Sequence, residues 1–191
     1  MPPDTQPGNL IVFAAFERIA QGSTAEVLAQ LRGRTDNTPY LVFDEQTGEQ
    51  RDVDVHGRAG AVVPATSAGA PEETPRGVGR PKLGVVAREV TLLPRHWDWL
   101  NRQPGGASVA LRRLVQEASR VNADRDAVRA SREATYRFMT AIAGALPGFE
   151  EATRALFAGE RDRFEGLIES WPPDLRTHLQ KLSAAGWSPP A

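Results

Sequence analysis

The sequence predicts an α+β protein. It opens with a small N-terminal ββαββ module, continues through a flexible Gly/Pro-rich linker, and ends in a mainly α-helical C-terminal half with a short strand expected at its opening. Three observations carry that expectation. Extended runs rich in β-branched and aromatic residues gather before residue 56. Residues 57–84 change to Ala, Gly, Pro, Ser and Thr, too poor in large apolar side chains to bury a core. From Pro94 onward, apolar residues recur at helical spacing.

Residues 1–9 read as a disordered tail, and residues 10–56 as the small module. Leu10 to Ala20 is extended, with a hairpin turn expected near Ala15–Glu17. Ser23 and Glu26 have capping-box spacing, and Ala25, Leu28, Ala29 and Leu31 give the following helix one apolar face. Gly33 ends it. Tyr40–Phe43 and Arg51–Val55 flank a turn that Gly48 suits. Asp52 and Asp54 share one strand face, and with no third ligand nearby they read as a solvated face rather than a metal site.

The linker ends in a basic arm, Pro75–Lys82. Gly79-Arg80-Pro81 resembles the core of an AT-hook, whose narrow backbone lays Arg along an A·T-rich minor groove. The competing reading is a plain linker with incidental charge. Residues 85–187 form the helical half. Val85–Leu93 is the expected strand, and Pro94 suits the first turn of a helix that Pro104-Gly105-Gly106 stops. Trp97 and Leu100 are expected in the core, with Trp99 on another face. A second helix starts near Ala107-Ser108 and runs toward Pro147, with a break expected near Asn122-Ala123. Apolar spacing then gives three short helices, stopped by Gly159 and by Pro172-Pro173, with Asp174 as the expected cap of the last. Residues 121–187 read as a helical bundle.

The chain has 191 residues and no cysteine, which excludes disulfide and thiolate chemistry. No apolar run approaches a membrane span and the first residues lack a signal peptide's pattern, so a cytoplasmic, non-membrane protein is expected. The net charge of −1 hides a split. Residues 1–75 carry 5 basic and 11 acidic side chains, whereas residues 76–125 carry 10 basic and 4 acidic. A basic middle segment in a neutral protein is the footprint expected of a polyanion-binding element, and an Arg-rich helix face is also ordinary solvated surface.

Strand, Leu-Pro, helix, Gly turn and a helix opened by Ser make residues 85–120 resemble a ribbon-helix-helix unit. That resemblance implies two chains pairing their strands in a major groove, with phosphate gripped at the second helix. Carried onto this chain, Arg88, Val90 and Leu92 face outward on the strand, and Gly106, Ala107 and Ser108 hold phosphate. Read without the family, Val90, Leu92 and Trp97 are core of a helical domain. The DNA-binding set is therefore Arg76, Arg80, Lys82, Arg88, Gly106, Ala107, Ser108 and Arg112, and the dimer or partner interface is Val90, Leu92, Trp97 and Trp99. REVTLLPRHWDWL, PGGASVALRRLV, ATYRFMTAIAG and LPGFEEATRALFAGERDRFEGLIESWP together also resemble a bacterial domain-of-unknown-function family, number twenty-two thirty-nine. That resemblance implies no activity or cofactor.

His56, His96 and His178 are scattered without metal-ligand spacing, and no phosphate loop or nucleophile elbow appears. The expected function is a non-enzymatic, homodimeric, DNA-binding transcription regulator that needs no cofactor. The alternative is an interaction scaffold whose Trp97, Trp99 and basic arm meet an acidic protein partner.

Overall fold

A computed structural model describes residues 8–36, 38–55 and 88–187. The linker at 57–84 and most of the expected tail lie outside them. The chain divides into two compact units: residues 88–124 in one, and residues 8–55 with 125–187 in the other.

In the larger unit the N-terminal residues form a four-stranded antiparallel sheet in the order β2-β1-β3-β4. The hairpin of β1 (Leu10–Ala14) and β2 (Glu17–Gly22) turns at Ala15, a non-glycine residue at φ 51°. β3 (Tyr40–Asp44) pairs with the other edge of β1, setting Ile11 opposite Phe43 and Val12 opposite Val42. Between β2 and β3 lies α1 (Thr24–Arg32). Its capping box forms as expected: the Ser23 hydroxyl accepts from the Glu26 amide, and the Glu26 carboxylate accepts from the Ser23 amide at 2.8 Å. The expected last strand is shorter than its alternation suggested. Only Gln50–Arg51 form β4, although Val53 and Val55 still pack against the core while Asp52 and Asp54 stay exposed. An edge strand needs few ladder bonds to seat two inward valines.

Every residue of β1 is buried. Leu10 and Val12 face α1, joining Ala20, Val27, Leu31 and Val42 in one cluster. Ile11 and Phe13 face the other way, with Phe43, into a second and larger cluster. That cluster is completed by helices: the last turns of α3 (Gly106–Ile142), then α4 (Phe149–Ala158), α5 (Arg161–Ile168) and α6 (Pro173–Ser183), followed by a 3₁₀ turn at Ala184–Trp187. Residues 10–55 and the helices after residue 125 thus share one core. Phe138 of α3 is its hub, with ring centroids 5.3 Å from Phe13 and 4.9 Å from Phe43. Helix ends are closed locally. Gly159 takes the left-handed conformation at φ 78° to stop α4, and the buried Trp171 indole donates to the Pro147 carbonyl at 2.9 Å.

Three expectations are corrected. The second helix has no break at Asn122-Ala123: α3 is one helix, and the Asn122 amide bonds back along it to the Ala118 carbonyl at 2.8 Å. Asp174 does not cap α6, whose N-cap is Pro172; its carboxylate instead accepts the Arg18 backbone N–H of β2 at 2.9 Å. The expected strand over 85–93 is not formed over its described part, since Arg88–Leu93 take no regular structure. A strand exists through ladder bonds to a neighbour, and β1 to β4 pair only with one another.

Gly48 lies close against α3 where the sheet attaches to it. It sits at φ 63° in the β3–β4 turn, and an added Cβ would lie 2.2 Å from the Ala134 carbonyl oxygen. The neighbouring Thr47 carbonyl accepts from Arg137 at 3.0 Å. Gly48→Ala is expected to cost at least about 2 kcal/mol, combining left-handed backbone strain with that clash. A urea titration followed by circular dichroism measures it, and an unchanged midpoint would show that the turn does not press on the helix.

Candidate nucleic-acid interface

Residues 88–124 build a helix, a double-glycine turn and a second helix. Leu93 is extended (φ −66°, ψ 149°), as a residue before proline prefers. Pro94 then opens α2 (Pro94–Asn101) at a position where no backbone donor is needed. At the far end Arg102 Nε donates to the Asp98 carbonyl at 2.9 Å, and the Gln103 amide to that of Trp99 at 3.3 Å. These side chains satisfy carbonyls that the helix end leaves open. The chain reverses through Gly105 (φ 82°) and Gly106 (φ 75°). A Cβ on Gly105 would lie 3.1 Å from the Val109 side chain, so both backbone and space call for glycine there.

The residues expected to grip phosphate, Gly106, Ala107 and Ser108, lie at the start of α3. Gly106 is already engaged, its amide donating to the Gln103 carbonyl at 2.9 Å. Ala107 and Ser108 stand in the first turn, where amides have no intrahelical acceptor and the helix dipole is positive. Arg112 Nε donates to the Ser108 carbonyl at 3.2 Å, holding that guanidinium along the same turn. Arg113 is exposed beside it. Arg120 pairs with Glu117 at 2.8 Å on an exposed surface, an interaction worth little. Arg88 is exposed before α2, while Arg76, Arg80 and Lys82 lie outside the described residues.

The apolar side chains of this unit are mostly unburied. Among residues 88–124 only Leu100 and Ala110 are buried. Trp97, expected in the core, is exposed, as are Val90 and Trp99; Leu92 is half-buried. Leu93, Val109 and Leu114 are exposed too, and Val115 and Val121 are 62% and 65% exposed. Trp97 misses the core because two buried residues do not make one. Contiguous exposed apolar surface is a common property of surfaces that meet other molecules.

The larger unit holds a polar cluster that sequence reasoning did not assemble. Glu45, 5% exposed, receives hydrogen bonds from Gln21 of β2 and from Lys181 of α6, with which it forms an ion pair. Burial works against its charge. The Lys181 hydrogen bond and charge, with those from Asn9 and Gln21, nevertheless hold the carboxyl below its ordinary value. One turn before Lys181, His178 is 4% exposed between Phe138 (4.6 Å) and Phe13 (5.9 Å). Its Nε2 has no hydrogen-bond partner. Burial pushes the imidazole down to about 4, the Glu45 charge opposes that, and Lys181 and Arg18 add to it. With aromatic rings against the imidazole, this His packs as part of the core. Among the described residues no group of three His, Asp or Glu side chains is placed to hold a metal, and no helix is long and apolar enough to cross a membrane.

The model of a family described as "Uncharacterized protein conserved in bacteria (DUF2239)" matches residues 9–183. No curated protein and no solved structure matches the chain.

His178 makes stability depend on pH in a window of its own. Its folded value of about 4 lies below the ordinary 6.5, so the unfolded chain takes the proton first. Stability is therefore lost as pH falls from about 6.5 toward 4. Urea midpoints measured across that range are expected to decline in the wild type and to flatten in His178→Leu. The loss as pH falls below 4.5, where the unfolded chain protonates Glu45 before the fold does, remains in both. Parallel slopes in the two proteins would show that the imidazole is not neutral in the fold.

Proposed function

This chain belongs to that bacterial family, and from its own residues we propose that it is a homodimeric DNA-binding transcription regulator. The observation that carries the reading is the unit at 88–124. It joins a glycine-turned helix pair, free first-turn amides at Ala107 and Ser108, and Arg112 and Arg113 to apolar residues that its own packing leaves exposed.

A second copy covers Val90, Leu92, Trp97 and Trp99, and pairing with it supplies the ladder that Arg88–Leu93 lack within one chain. Phosphates then meet the α3 start, where a helix N-terminus and arginine attract anions together. The basic arm, with Arg76, Arg80 and Lys82, adds charge that holds the protein near duplex without reading sequence. No catalytic step belongs to this reading, nor any cofactor. The exposed Trp97 and Trp99 favour one other reading, a scaffold that grips an acidic protein partner.

Anisotropy with a mixed duplex pool separates the two. Regulator binding weakens steeply with salt, and replacing Arg76, Arg80, Lys82 and Arg88 by Ala lowers the log–log salt slope by about 0.9 for each phosphate no longer neutralised. Trp99→Asp is expected to yield a monomer in sedimentation and to weaken duplex binding. A protein that shifts no duplex at low salt sinks the proposal.

A further inference from the structure

A cleft of about 340 Å³ lies beside the central turns of α3, on residues of the larger unit that are distinct from the proposed DNA-binding set. We propose that it docks an acidic segment of a partner protein, one carrying a bulky apolar side chain among its carboxylates.

Arg125, Val128, Arg129 and Arg132 stand at i, i+3, i+4 and i+7 along one side of α3, and Phe157, in the last turn of α4, forms the facing wall. Phe157 is 47% exposed and braced edge-on by Tyr136, with ring centroids 5.5 Å apart. An exposed aromatic ring held this way offers a flat apolar surface whose rotamer is already set.

The charges are placed with similar economy. Arg132 donates through Nε to the Gly186 carbonyl at 2.9 Å and through Nη1 to that of Phe157 at 3.1 Å, so its guanidinium is held in place. Gly159 leaves room for it: a Cβ there would sit 2.8 Å from Nη2. Arg125 is exposed and has no ion-pair partner among the described residues. Arg129 shares its charge with Asp126 at 2.8 Å and, at 4.0 Å, with Glu133. The lining thus holds three cations and one anion, Glu133, around an apolar floor.

That mixture selects the partner. A duplex presents its phosphates to the arginines but keeps its bases stacked inside, so it offers Val128 and Phe157 little to bury. A peptide supplies carboxylates for the arginines, N–H donors for Glu133 and an apolar side chain for the floor.

The test is anisotropy of the full chain with a fluorescein-labelled heptapeptide, three glutamates on either side of a phenylalanine. Saturable, salt-sensitive binding is expected. Arg125→Glu and Phe157→Ala each weaken it about tenfold or more, and so does alanine in place of the peptide's phenylalanine. Both side chains are exposed, so the variants keep the wild-type melting curve; should Phe157→Ala melt lower, Arg125→Glu alone decides. The basic segment before α2 also attracts acidic peptides, and binding that survives both substitutions unchanged belongs there and overturns the proposal. Absence of binding up to millimolar peptide overturns it as well. A single-stranded oligonucleotide that displaces the peptide, and itself weakens with the same substitutions, assigns the cleft to nucleic acid and overturns it too.

Discussion

The larger unit depends on a strand that is buried on both sides. β1 alternates like any strand, but neither face meets water: Leu10 and Val12 lie against α1, and Ile11 and Phe13 against the helices. Hydrophobic burial is proportional to area removed from water, so a five-residue strand covered twice contributes about as much as a longer strand covered once. The helices that cover the second face come from the far end of the chain. Phe138 carries that junction by touching Phe13 and Phe43 together, and the Gly48 turn closes on the α3 backbone beside it. Residues 8–55 and 125–187 are therefore one compact unit built around a shared core.

Polar groups follow the same long-range logic. Glu45 follows β3, and its partner Lys181 is 136 residues away in α6. Asp174 of the same helix accepts from β2 across 156 residues. Such bonds attach α6 at the sheet edge while His178 fills the interior beside them. A neutral imidazole without a partner for Nε2 is a buried polar group left unsatisfied, which costs stability that the surrounding rings recover by packing.

The smaller unit has the opposite balance. Its secondary structure is fully determined by a proline, two glycines and side chains that close their own helix ends, yet it buries almost none of its apolar residues. Local propensity forms helices, and only packing gives them a core. What this unit lacks in burial it presents as surface, with arginines and helix amides beside exposed tryptophan, leucine and valine. That combination is why its proposed partners are a second chain and DNA together, since either alone leaves half of the surface unexplained.

By itself the sequence determined the local elements: the first hairpin, the Ser23–Glu26 capping box, the helix start at Pro94, the Gly105-Gly106 reversal and the Gly159 stop. Each rests on backbone preferences and neighbours within a few residues, so each is written where it acts. Tertiary structure decided which elements share a core, that Asp174 serves β2 instead of its own helix, and that Trp97 stays in solvent. Two full faces on one strand look in sequence like any short apolar run, and nothing in the spacing says which distant helix will cover it. The cleft was half legible. Its arginines stand at helical intervals along α3, but the Phe157 wall arrives from another helix, and only packing brings the two within reach.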